Sequence, residues 1–94
     1  MKIPDDAVIP KEKLELYQYV ALSQDLPEYN LKHGDVAMLI DYVTHPSGGE
    51  DGYVLEVFNA TGDSLVVLTV PFSAVLQLPT EAVLAVRPLA ETNL

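Results

Sequence analysis

The chain has 94 residues, no cysteine and no tryptophan, and carries fourteen acidic against five basic side chains for a net charge of −9. That length builds one domain. The missing cysteines exclude disulfide staples, a thiolate metal cage and a sulfur nucleophile, and the negative charge disfavours a broad contact with phosphate backbones.

Residues 1–13 hold Pro4, Pro10 and the mixed cluster Lys11-Glu12-Lys13, and read as a flexible arm with at most one helical turn after Pro10. Met1 to Asp6 lack the apolar core of a signal peptide, so a cytoplasmic location is expected. From Leu14 the pattern alternates, with Leu16, Gln18, Val20 and Leu22 on one face and Tyr17, Tyr19, Ala21 and Ser23 on the other, which predicts a first strand over Leu14 to Leu22. Asp25 to Asn30 makes a polar excursion that Leu26, Tyr29 and Leu31 can tuck back onto a core. Gly34 then supplies a positive φ, and Asp35 can hydrogen-bond the turn backbone ahead of a second strand. On that strand Val36, Met38, Ile40 and Tyr42 share a face opposite Ala37, Leu39, Asp41 and Val43, and both faces are largely apolar.

His45 to Gly52 is the most turn-rich stretch and joins the second strand to Tyr53–Phe58 as a hairpin; Asn59 to Asp63 makes the next turn. Asn59-Ala60-Thr61 fits the glycosylation acceptor pattern but reads here as turn residues. The run Ser64 to Val70 is nearly all apolar and β-branched, and Pro71 ends it. Phe72 to Pro79 fits a short 3₁₀ turn capped by Ser73, and a last strand over Ala82 to Arg87 is expected to close against the first. The uncharged stretch from Ser64 to Thr80 is interrupted by Pro71 and Pro79 and does not read as a membrane span. Five short strands with tight turns and one late 3₁₀ turn predict a mainly β, five-stranded SH3-like barrel over residues 14–90, preceded by the arm and followed by a tail at 91–94. The rival is an open five-stranded sheet that pairs with a second copy.

The segments Tyr17-Gln18-Tyr19-Val20-Ala21-Leu22, Asp25-Leu26-Pro27, Leu31-Lys32-His33-Gly34-Asp35, Leu55-Glu56-Val57-Phe58-Asn59, Thr61-Gly62-Asp63, Val67-Leu68-Thr69-Val70 and Val86-Arg87-Pro88-Leu89 occur in an order that resembles a family of short bacterial domains of unknown function, similar in pattern to SH3-like barrels. Ala37 stands where such sequences tend to carry glycine. The resemblance implies a small partner of another bacterial protein and supplies no reaction.

No catalytic inventory emerges from the residues. His33, His45 and Asp35 have suitable donor atoms for zinc but no known ligand spacing, and both histidines read as solvated turn residues. Ser47, His45 and Asp51 could be drawn as a triad, yet nothing supplies a strained elbow or oxyanion donors. Glu50 and Asp51 are adjacent in a hairpin, where neighbours face apart. No cofactor and no metal are expected, and no enzyme. The chemistry that remains is binding. Tyr17, Tyr19 and Tyr29 form a candidate aromatic shelf beside the acidic excursion, and Leu39, Val43 and Phe58, with Val54, Val66 and Leu68, are surplus apolar residues for so small an interior. Residues 1–52 hold ten acids and four lysines, so an electrostatic partner should be basic and approach the first half. The reading is a non-enzymatic protein-binding module, comparable to an antitoxin or immunity partner of a basic protein, with self-association as a homodimer left open. Its alternative is a nucleic-acid- or translation-associated barrel, for which only Lys11, Lys13, Lys32 and Arg87 are available.

Overall fold

In a computed structural model of the chain, residues 7–10 and 12–89 are described; the expectations for residues 1–6 and 11 of the arm and for the tail at 91–94 fall outside them. Five strands, β1 (Tyr19–Leu22), β2 (Val36–Val43), β3 (Gly52–Phe58), β4 (Ser64–Pro71) and β5 (Val75–Gln77), form one antiparallel sheet in the order β4-β3-β2-β1-β5. Two 3₁₀ turns accompany them, at Pro27–Tyr29 and at Phe72–Ala74, the second just before the last strand. The mainly β, five-stranded expectation holds. No ladder joins β4 to β5 among the described residues, so the strands form a sheet that is not closed.

The inner face carries the core. Val20 and Leu22, Ala37 and Leu39, Tyr53, Leu55 and Val57, Leu68 and Val70, and Val75 are all buried on it, and Leu14, Leu26, Leu31 and Ala74 close over them. Tyr53 is the largest fully buried side chain. Phe72 stacks on it with centroids 4.2 Å apart, and its hydroxyl accepts the Leu14 N–H at 3.0 Å. A buried phenol thus has both a ring partner and a hydrogen-bond partner, which a core position demands.

Three departures from the sequence reading have local causes. The first strand begins at Tyr19, five residues later than expected, because Tyr17 takes a left-handed backbone at φ 64° that breaks the alternation. Its N–H is held by the Leu39 carbonyl at 2.7 Å. In β2 a bulge at Ile40 places Ile40 and Asp41 against Val54, so the alternation shifts by one residue. Tyr42 then pairs with Tyr53 and packs on the core beside Leu39, not with Met38 and Ile40 as simple alternation would have it. Last, the strand that pairs with β1 is Val75–Gln77, in the register Leu22↔Val75 and Val20↔Gln77, and Ala82 to Arg87 forms no strand. The 3₁₀ turn reverses the chain so tightly that the next three residues already occupy the edge of β1. Val8 occupies the far side of Gln77, its N–H and carbonyl both bonded to that residue, so the later segment has no edge there to join.

The turns behave as their residues dictate. Gly34 has φ 93°, and Asp35 accepts the Lys32 N–H at 2.7 Å. Ser73 does not cap its turn; the Glu50 carboxylate instead accepts the Ser73 N–H at 2.6 Å from the neighbouring loop. Asn59 Oδ1 takes the N–H groups of Thr61 and Asp63, so that side chain is occupied inside its turn.

Candidate functional site

Residues directly opposite on neighbouring antiparallel strands share a face. The register therefore draws a row across four strands, Tyr19 to Met38 to Glu56 to Val67, on the side of the sheet away from the core. A second row runs from Ile40 and Asp41 through Val54 to Thr69, and Val43 with Gly52 and Pro71 lies beyond it. Phe58 and Leu65 extend the apolar surface at the other end. Tyr19, Val43, Phe58, Leu65 and Val67 are exposed, and Met38, Ile40, Val54 and Glu56 are half-buried. The strands put two carboxylates, Glu56 and Asp41, on this face and no lysine, arginine or histidine. Asp41 accepts the N–H of Tyr42. The Glu56 side chain, half-buried among Met38, Val54 and Val67, makes no hydrogen bond or ion pair with any described residue.

Several other charged groups are committed to structure. Arg87 donates from Nε to Asp35 Oδ1 at 2.7 Å and from Nη2 to Asp35 Oδ2, and Nη2 also reaches the Asn30 carbonyl at 3.1 Å. Lys13 Nζ lies 4.5 Å from the ring centroid of Tyr42. His45 Nδ1 accepts the backbone N–H groups of Ser47 and Gly49, each at 3.1 Å, and Asp51 takes the His45 N–H. The three residues of the conceivable triad do meet, but through backbone amides that fold the loop, and the Ser47 hydroxyl is not aimed at the imidazole by any of these bonds. Among the described residues no group of three His, Cys, Asp or Glu side chains could hold a metal ion.

A family model described as a domain of unknown function, DUF4926, matches residues 16–77. The chain belongs to this family. No curated protein and no solved structure matches it. The DUF4926 span starts just before the kink at Tyr17 and stops at Gln77, the last residue of β5, so it contains all five strands and leaves out the extended segment that carries Arg87.

Within the DUF4926 domain the six residues singled out from sequence separate. Tyr19, Val43 and Phe58 are exposed on the outer face, Val43 beside Gly52 at one end of β3 and Phe58 at the other. Tyr17 is 73% exposed, but its left-handed backbone takes it out of the strand pattern that would have set it beside Tyr19. Tyr29 is exposed in the first 3₁₀ turn, away from the strands. Leu39 is 0% exposed and belongs to the core, so it contributes to no surface; Leu68 is buried likewise. Met38, Ile40, Glu56, Leu65 and Val67 were missed. Their signal was present, since Leu65 and Val67 alternate with Val66 and Leu68, but the sequence does not say which of two apolar faces points inward. Among the described residues, no helix is long and apolar enough to cross a membrane.

Proposed function

We propose that this DUF4926 chain is a small, acidic, non-enzymatic protein-binding module of the cytoplasm, whose outer sheet face receives a basic partner in the manner of an antitoxin or immunity protein. One observation carries the reading: Glu56 is a half-buried carboxylate whose side chain has no partner among the described residues, set in an apolar face to which the strands bring no cation. Such a group has already lost part of its hydration before binding and is left waiting for a lysine or arginine from outside. The net charge of −9 adds long-range attraction for the same kind of partner. Strand order and the 3₁₀ turn between β4 and β5 further support an SH3-like barrel whose last seam is unsealed.

The test is a titration of labelled protein with two amphipathic peptides of matched hydrophobicity, one carrying lysines and one glutamates. The lysine peptide should shift the amides of Met38, Glu56 and Val67, and Glu56→Gln should weaken its binding about tenfold to a hundredfold, the loss of one charge-assisted contact. Shifts confined to the turns, or equal binding of both peptides, would refute the assignment.

A further inference from the structure

The two edges of the sheet are treated differently. At the β5 edge the N–H and carbonyl of Gln77 are both taken by Val8, at 2.6 and 3.3 Å. At the β4 edge no backbone group of the described residues is paired outward. Exposed edges are ordinarily protected by charged side chains, prolines or bulges. β4 reads Ser-Leu-Val-Val-Leu-Thr-Val-Pro, with no charge, a proline only at its last position and a bulge only near its start, where Leu65 is the extra residue between Ser64 and Val66. Among the described residues, the stretch from Val66 to Thr69 is left open.

The direction of the free groups follows from the ladder. The Phe72 N–H bonds to the Asp51 carbonyl at 3.0 Å, one pair beyond Pro71↔Gly52. Hydrogen-bonded and non-bonded pairs alternate in an antiparallel ladder. Val70, Leu68 and Val66 therefore turn their amides toward β3, and Val67 and Thr69 turn theirs to the open edge. Pro71, which has no N–H, falls in the outward set and costs the β3 ladder nothing.

We propose that this edge pairs with the β4 edge of a second copy, antiparallel across a two-fold axis at Val67. With outward amides at 67 and 69, that register sets Val67 against Val67 of the second copy and Val66 against its Leu68. A two-fold axis makes the strand its own complement. Charge argues for the same occupant. A chain of net charge −9 can approach itself only along an uncharged element, and β4 is one; the nearest strand carboxylate, Glu56, would lie three strand spacings from its counterpart, about 14 Å, beyond the screening length of about 8 Å at physiological salt. The pairing also joins the two Tyr19-Met38-Glu56-Val67 rows end to end into one apolar face. This inference stands apart from the basic-partner reading, and Glu56→Gln should leave the dimer intact.

Sedimentation equilibrium on the full chain tests it, with Val67→Lys and Val67→Glu as variants and circular dichroism as the check that each keeps its strands. Val67 is 53% exposed, so the fold should accept either side chain. The wild type should show a reversible monomer–dimer equilibrium. Each variant alone should associate roughly tenfold more weakly, since like charges then meet on the axis, and an equimolar mixture of the two should recover association as a heterodimer in which the introduced lysine faces the introduced glutamate. A monomeric wild type, a folded variant that dimerises as well as the wild type, or a mixture of folded variants that stays monomeric would overturn the proposal.

Discussion

Asp35 holds two parts of the chain with one carboxylate. It accepts the Lys32 N–H that shapes the turn before β2, and it accepts Arg87 from a segment fifty-two positions later. The guanidinium pKa is raised, chiefly by that hydrogen bond and further by the Asp35 charge, against the opposing pull of partial burial. A cation whose pKa is higher folded than unfolded stabilises the fold at every pH below its ordinary range, and loses that effect only as pH rises through the arginine range. Arg87→Met should therefore lower stability by about 1–3 kcal/mol, a fall of several degrees in Tm, and by the same amount at neutral and at mildly alkaline pH. Thermal melts in the two buffers check this, and a loss that shrinks on going to mild alkali would contradict it. The turn half of this arrangement was readable beforehand, because Gly34 followed by Asp35 is local chemistry. The Arg87 half was not, since nothing near Arg87 in sequence hints at which of fourteen acids it meets.

At the level of the element, the bulge in β2 decides what is inside. If Ile40 took a ladder position of its own, even alternation would carry Tyr42 off the face it shares with Leu39 and Tyr53. Its ring now lies 6.1 Å from that of Tyr53, and its hydroxyl donates to the Leu14 carbonyl. Deleting Ile40 should therefore keep Tyr42 inside and cost little, whereas Tyr42→Ala should cost about 3 kcal/mol or more, the order expected for losing a large core side chain, both read by chemical denaturation. A deletion variant destabilised as much as Tyr42→Ala would mean that Ile40 is more than an extra residue in the ladder. Alternation in the sequence identified β2, β3 and β4 and nearly all their limits, because a period of two is a property of the strand itself. It misassigned Tyr42 and misplaced the fifth strand because a bulge and a vacant edge exist only once strands have paired.

Taken whole, the molecule is an acidic sheet with a core on one side and an unfilled apolar face on the other. Binding of a lysine-rich partner to that face should weaken steeply between low and physiological salt, whereas pairing through the uncharged β4 edge should be nearly indifferent to it or gain slightly as residual repulsion is screened. Running the peptide titration and the sedimentation experiment at two salt concentrations separates the two surfaces, and a salt-independent peptide affinity would count against the electrostatic part of the reading.

Composition, charge, turn chemistry and the two-residue period determined without any coordinates that this chain is mainly β, with five short strands, rich in acid and without cysteine. These are local or additive properties of the chain. Which apolar face is covered, that Leu39 is core while Val67 is surface, that Arg87 answers Asp35, and that the sheet stays open at β4 were decided only in tertiary structure. Each depends on residues far apart in sequence competing for the same space or the same edge, and no local pattern records who wins.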